Sequence, residues 1–105
     1  MSAFEDREKG FEKKFAVDQE LEFKAQSRGV RMLGEWAAHK MGLENVADYV
    51  RAVVRSELGA GGEDDVVRKV IQDLAGSGLE MRETEVRSKM DEFLAVAREQ
   101  VKAGE

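Results

Sequence analysis

Phe4, Phe11, Phe15 and Phe23 are four of the chain's five phenylalanines, and the first three sit in the string Phe4-Glu5-Asp6-Arg7-Glu8-Lys9-Gly10-Phe11-Glu12-Lys13-Lys14-Phe15. At 100° per residue, Phe4, Phe11 and Phe15 fall within about 40° of one another on a helical wheel. The chemistry this offers is recognition: aromatics on one side of a charged helix are anchors for a groove on another protein. The position sharpens the point, because terminal residues of a compact domain are normally polar and expendable. No catalytic constellation competes with it. His39 is the single histidine and cysteine is absent, so neither a His/Cys metal site nor a Ser–His or Cys–His pair assembles. Gly59-Ala60-Gly61-Gly62 lacks the Gly-Lys-Ser/Thr ending of a phosphate loop. The acids that follow, Glu63, Asp64 and Asp65, would repel phosphate, and being consecutive they miss the ligand spacing of a calcium loop. The chain is therefore expected to be no enzyme, with no catalytic residue, no cofactor and no metal.

The elements that must carry the aromatic stripe are helical. The 105 residues suit one domain with a single modest core. Proline is absent, 42% of residues are apolar, and the stock of Ala, Glu, Lys, Leu, Arg and Val favours helix. A net charge of −5 argues against a nucleic-acid binder, which would show a concentrated basic face. Residues 1–15 hold four bases and four acids, so the whole −5 falls on residues 16–105. No apolar run approaches the ~20 residues that span a bilayer, and no signal peptide is evident, so a soluble, cytoplasmic protein is expected.

Four amphipathic stretches follow from the periodicity. The first runs from about Ser2 to Met41, with Leu21, Ala25, Met32, Leu33, Trp36 and Ala37 on one side and Gly42 as its left-handed cap. The second opens at Asn45 as N-cap and buries Val46, Tyr49, Val50, Val53, Val54 and Leu58. The third starts at Glu63-Asp64-Asp65, acids suited to the positive end of the helix dipole. Its stripe is Val66, Val67, Val70, Ile71 and Leu74. The fourth begins near Thr84 as N-cap and carries Val86, Met90, Phe93, Leu94, Ala97 and Val101, after a lead-in packed by Leu79 and Met81. The fold class is all-α: a small antiparallel four-helix bundle with a flexible N-terminal arm. Trp36, Tyr49, Met32 and Met90 read as core filling.

The arm and the bundle divide near residues 16–20. The aromatic side continues as Asp18 and Glu22 before turning apolar again at Ala25 and Met32, leaving a polar gap in the stripe. Residues 1–17 then form an arm and residues 18–105 the bundle. An isolated helix of that length is marginal in water, and Gly10 subtracts about 1 kcal/mol more. Glu5 and Lys9 pair favourably at i,i+4, whereas Glu8 with Glu12 and Lys9 with Lys13 are like-charged. The arm is expected to be disordered or fraying when free, and helical when a partner supplies the groove. The other reading of the stripe is that Phe4, Phe11 and Phe15 pack back on the bundle.

The chain resembles the zeta-type ATPase inhibitor subunit of alphaproteobacterial F-type ATP synthases (F1FO-ATPase). The resemblance runs nearly end to end. It rests on Phe4-Glu5-Asp6-Arg7-Glu8, Glu12-Lys13-Lys14-Phe15-Ala16 and the block Leu33-Gly34-Glu35-Trp36-Ala37-Ala38. Asp65-Val66-Val67-Arg68-Lys69, Asp73-Leu74-Ala75 and Val86-Arg87-Ser88-Lys89-Met90 support it. Gly10 is a local departure. The resemblance implies a four-helix bundle whose N-terminal helix inserts at an alpha/beta catalytic interface of F1, near gamma, and blocks ATP hydrolysis. The partner-binding residues it implies are Phe4, Arg7, Glu8, Phe11, Glu12, Lys13, Lys14 and Phe15. It further implies a protein that is monomeric when free, binds no nucleic acid, and is cytoplasmic, held peripherally at the membrane through the F1 head without inserting. The alternative is a helical interaction or nucleotide-sensing module with a different partner.

Overall fold

The computed structural model describes the backbone of residues 3–105 and the side chains of residues 18–105. Four helices build it: α1 (Ala3–Met41), α2 (Val46–Ser56), α3 (Glu63–Gly76) and α4 (Glu83–Lys102). The described residues contain no strand. α1 packs against all three others. Glu22 of α1 meets Arg98 of α4, and further along α1 Gly29 lies against Leu94, so the two helices run antiparallel. α2 returns along α1 with Val50 and Val53 beside Gly34. This is the expected antiparallel four-helix bundle.

One buried cluster holds the helices together: Val30, Leu33 and Ala37 of α1, Val53 of α2, Val66, Val67, Val70 and Leu74 of α3, and Val86, Met90 and Leu94 of α4. Trp36, Tyr49, Val54, Ile71 and Phe93 pack against it half-buried. The α1 stripe is broader than its periodicity suggests. Val30 is fully buried, whereas Met32 and Trp36 stay half-exposed. The reason is that α1 has neighbours on more than one side, so a single line of apolar positions does not describe its buried face. Leu58 corrects a second expectation: it is 83% exposed, because α2 ends at Ser56 and Leu58 lies in the turn beyond.

The connections follow local chemistry. At the end of α1, Gly42 adopts φ 69°, the Leu43 N–H donates to Ala38 O (3.0 Å), and the Gly42 N–H donates to His39 O (3.1 Å). This is the paired-bond termination that favours glycine at the left-handed position. Asn45 caps α2 as expected, its Oδ1 accepting from the Asp48 N–H at 3.0 Å. α3 has no side-chain cap at Gly62. Instead Asp65 reaches back from the first turn, its Oδ2 accepting from the Gly61 N–H at 2.9 Å. A Cβ at Gly59 or Gly61 would come within 2.4 Å of that carboxylate. The glycine-rich turn and the acidic run are thus two halves of one helix start. α4 begins two residues earlier than expected: Arg82 is the extended N-cap residue, and Thr84 is already inside the helix. Leu79 and Met81 pack on the core and fix that entry.

Gly29 and Gly34 separate close approach from mere proximity. A Cβ at Gly29 would lie 2.7 Å from Leu94 Cδ2 and 3.3 Å from Leu94 Cα, whereas at Gly34 the nearest atoms are 3.4 Å away. Leu94 is buried and has little room to yield. Gly29→Ala is expected to destabilise the bundle by about 1–3 kcal/mol, overpacking outweighing the helix-propensity gain of about 1 kcal/mol. Gly34→Ala is expected to be close to neutral. Urea unfolding of the two variants checks this; equal midpoints would show that α4 can shift away from Gly29.

Candidate functional site

The site expected from sequence is the N-terminal part of α1. The side chains of Phe4, Arg7, Glu8, Phe11, Glu12, Lys13, Lys14 and Phe15 lie outside the described residues. What the structure does describe is the stretch of α1 immediately after them and the end of α4 beside it. Asp18, Leu21, Glu22 and Ala25 line a shallow groove with Arg98, Val101 and Lys102. Leu21 and Val101 are half-buried.

Two polar ties hold α4 in place there. The Arg98 guanidinium grips Glu22 through both carboxylate oxygens, with Nη2 to Oε1 at 2.8 Å and Nε to each oxygen at 3.2 Å. Arg28 donates to Gln100 Oε1 at 3.3 Å and to the Glu105 backbone carbonyl at 2.9 Å. The helix then stops: Gly104 is at φ 80°, and the Glu105 N–H returns to Gln100 O at 2.9 Å. Among the described residues, α4 therefore accompanies α1 as far as Asp18.

This alters the meaning of the polar gap. Glu22 is charged at a position facing α4 because Arg98 answers it across the interface, so packing continues through the gap instead of ending there. Nothing in the local sequence marks Arg28 or Arg98, since their partners are set by the antiparallel register. The hydrogen bonds from Arg98 are the main cause that holds the Glu22 carboxyl below its ordinary value; desolvation opposes them, and the charge of Arg98 adds a smaller lowering effect. Because the folded-state value is depressed, the pair's stabilisation is present above the ordinary Glu range and is lost as pH falls through the depressed value. A carboxyl-carbon NMR titration is expected to place the Glu22 midpoint below that of an unpaired Glu, and Arg98→Ala to return it to the ordinary value. Equal midpoints in the two proteins would show that the grip does not persist in solution.

Other residues singled out by type have structural partners. Lys40 stands 5.7 Å from the Trp36 ring centroid, on the last turn of α1. The Tyr49 hydroxyl donates to Asp73 Oδ2 at 2.8 Å, and Lys69 joins Asp73 at 3.1 Å. Burial first, and then that hydrogen bond, push the Tyr49 hydroxyl well above its usual range. Unlike Trp36, Tyr49 and Phe93, Phe23 is 74% exposed. The wheel carried the signal, since Phe23 falls about 100° away from Phe4. Among the described residues, no group of three or more His, Asp or Glu side chains is placed to hold a metal ion. No described helix is long and apolar enough to cross a membrane.

No curated protein matches the chain. A family model, that of the ATPase inhibitor subunit zeta, matches residues 1–100, an interval that takes in the charged aromatic segment, the Leu33–Ala38 block and all but the end of α4. The chain belongs to the ATPase inhibitor subunit zeta family.

Proposed function

We propose that the protein is a regulatory inhibitor of ATP hydrolysis by the F1 head of ATP synthase. Residues 1–17 act as the inhibitory arm, inserting as a helix at an alpha/beta catalytic interface close to gamma, and residues 18–105 are the bundle that carries it. The observation that supports this reading is one of register. On the helical wheel, Glu22 and Gly29, which face α4, fall within about 20° of Phe4. Among the described residues α4 covers that side of α1, and in the sequence the stripe of Phe4, Phe11 and Phe15 falls in line with it. An aromatic stripe in line with a helix-binding face suits an external partner that supplies a groove for it.

The mechanism is differential affinity. Rotary hydrolysis needs each catalytic interface to open and close in turn. A helix that fits one conformation of that interface stabilises it selectively, and only the difference in affinity between conformations halts the cycle. An arm that orders on binding enters a transiently open cleft at the expense of affinity per unit area. The bundle, too wide to follow, stays outside as a stop. The protein is then monomeric when free, binds neither nucleic acid nor cofactor, and is cytoplasmic, reaching the membrane only through the F1 head. Titration of the full chain against ATP hydrolysis by isolated F1 tests the reading; an unchanged rate with saturating folded protein would sink it.

A further inference from the structure

The α1–α4 pair is held in two different ways along its length. At Val30 of α1 and Leu94 of α4 the helices belong to the buried apolar cluster, which also takes in α2 and α3. From there toward Asp18, neither helix buries a large side chain fully. Ala25 and Ala97 are buried, but Leu21 and Val101 are only half-buried. Polar ties replace the core at this end, and they cross. Arg98 reaches from α4 to both Glu22 oxygens, while Arg28 reaches from α1 to Gln100 Oε1 and to the Glu105 carbonyl. Arg28 thereby holds the turn that ends α4, where Gly104 is left-handed and the Glu105 N–H closes on Gln100 O. Separation at Glu22 strains the Arg28 bonds, and the reverse holds. A contact from Gln26 to Glu63 of α3, at 3.5 Å, is the other polar link from this stretch of α1.

We infer that this end of the pair is a clasp that opens as a unit: residues 18–28 of α1 and the last turn of α4 part while the apolar cluster stays closed. Local openings of a folded domain range from nearly free to as costly as global unfolding, and sparse apolar burial with exposed polar contacts marks the easy end. Both side chains of the Arg98–Glu22 pair are about half exposed, so salt screens their attraction, and ordering two long side chains offsets much of the gain. Gly29 marks the boundary. It presses on Leu94 at the edge of the cluster, and glycine has the poorest helix propensity after proline, so α1 is weakest as a helix where the core gives out. Opening uncovers Leu21, Ala25 and Val101, which line one groove while the clasp is shut. Ionic strength is the lever, because it loosens the exposed ion pair and leaves apolar burial in the cluster in place.

The chain has no cysteine, so a single introduced thiol reports opening without interference. Ala25→Cys sets the reporter inside the clasp, and Ala37→Cys sets one in the apolar cluster. Labelling of the full chain by a thiol reagent is followed between about 50 and 500 mM salt, each rate being normalised to the same chain in denaturant. Ala25→Cys is expected to label about a hundredfold faster than Ala37→Cys, and about threefold faster again at the highest salt. Arg28→Ala or Arg98→Ala should speed Ala25→Cys labelling by about fivefold, with Arg98→Ala also flattening its salt dependence and neither changing Ala37→Cys. Ala97→Cys, buried on α4, repeats the measurement in case the Ala25 thiol itself springs the clasp. Thermal midpoints verify folding, and the equally buried Ala38→Cys replaces Ala37→Cys if that chain melts early. Labelling of Ala25→Cys and Ala97→Cys at the core rate at every salt overturns the clasp, because this end then opens only with the whole bundle. Fast labelling that neither arginine replacement changes also overturns it, since position near the bundle's edge then accounts for the access. Equal acceleration of the core reporter by Arg98→Ala overturns it as well, because the ties would then hold the entire bundle.

Discussion

Simultaneous replacement of Phe4, Phe11 and Phe15 by Ala is expected to abolish inhibition of F1 hydrolysis while leaving the thermal midpoint of the bundle unchanged. Each buried phenylalanine contributes about 1.5–3 kcal/mol when a surface exists to receive it. Three in one groove give several kcal/mol, and each 1.4 kcal/mol is tenfold in affinity. Even allowing for the non-additivity usual in such clusters, the half-inhibitory concentration should rise about a thousandfold. The substitution is chosen so that loss of helix cannot explain the result, since Ala has the highest helix propensity of any residue. A chain lacking residues 1–15 should behave the same way. If the triple variant and the shortened chain both inhibit like wild type, the bundle itself is the inhibitor and the arm has another purpose. If the triple variant also melts earlier, the phenylalanines pack on the bundle, and the arm is simply the start of a long helix.

The bundle was legible because its signals are local. Gly42 in its left-handed cap, Asn45 capping α2 and the Val66, Val67, Val70, Leu74 stripe of α3 each depend on residues close in sequence, so periodicity and capping chemistry suffice. Where the reading went astray, a neighbouring helix decided the matter. Val30 is buried because α1 is flanked on more than one side, and Glu22 faces a helix interface because Arg98 reaches it from α4. Leu58 satisfies the α2 period, but the helix stops before it. Thr84 has the right chemistry for an N-cap, yet the packing of Met81 starts α4 two residues sooner. The candidate site divides in the same way. The aromatic stripe is a property of one segment and could be read directly. The Arg98–Glu22 and Arg28–Gln100 ties beside it could not, because the antiparallel placement of α4 sets those partners.

Leu33→Ala is the complementary experiment, and its effect should fall on stability with the arm left intact. Leu33 is fully buried at the centre of the cluster that joins all four helices. Truncation removes apolar area and leaves a cavity that rigid neighbours fill only in part, a loss of about 2–5 kcal/mol. Against the roughly 5–15 kcal/mol that holds a domain of this size folded, that is a large fraction, and the thermal midpoint should drop by ten degrees or more, at about 4–8 °C per kcal/mol. At low temperature, where the variant is still folded, its half-inhibitory concentration should match wild type, since Leu33 belongs to the bundle core and lies eighteen residues along the chain from Phe15. On warming, inhibition should fail along with the helical signal. The phenylalanine triple variant predicts the reverse: normal melting and lost inhibition at every temperature. That opposition is what two separable units require, because a single cooperative structure would couple both losses in both variants. Should Leu33→Ala weaken inhibition while fully folded, the bundle core and the arm form one functional element, and a division between residues 1–17 and 18–105 would have to be abandoned.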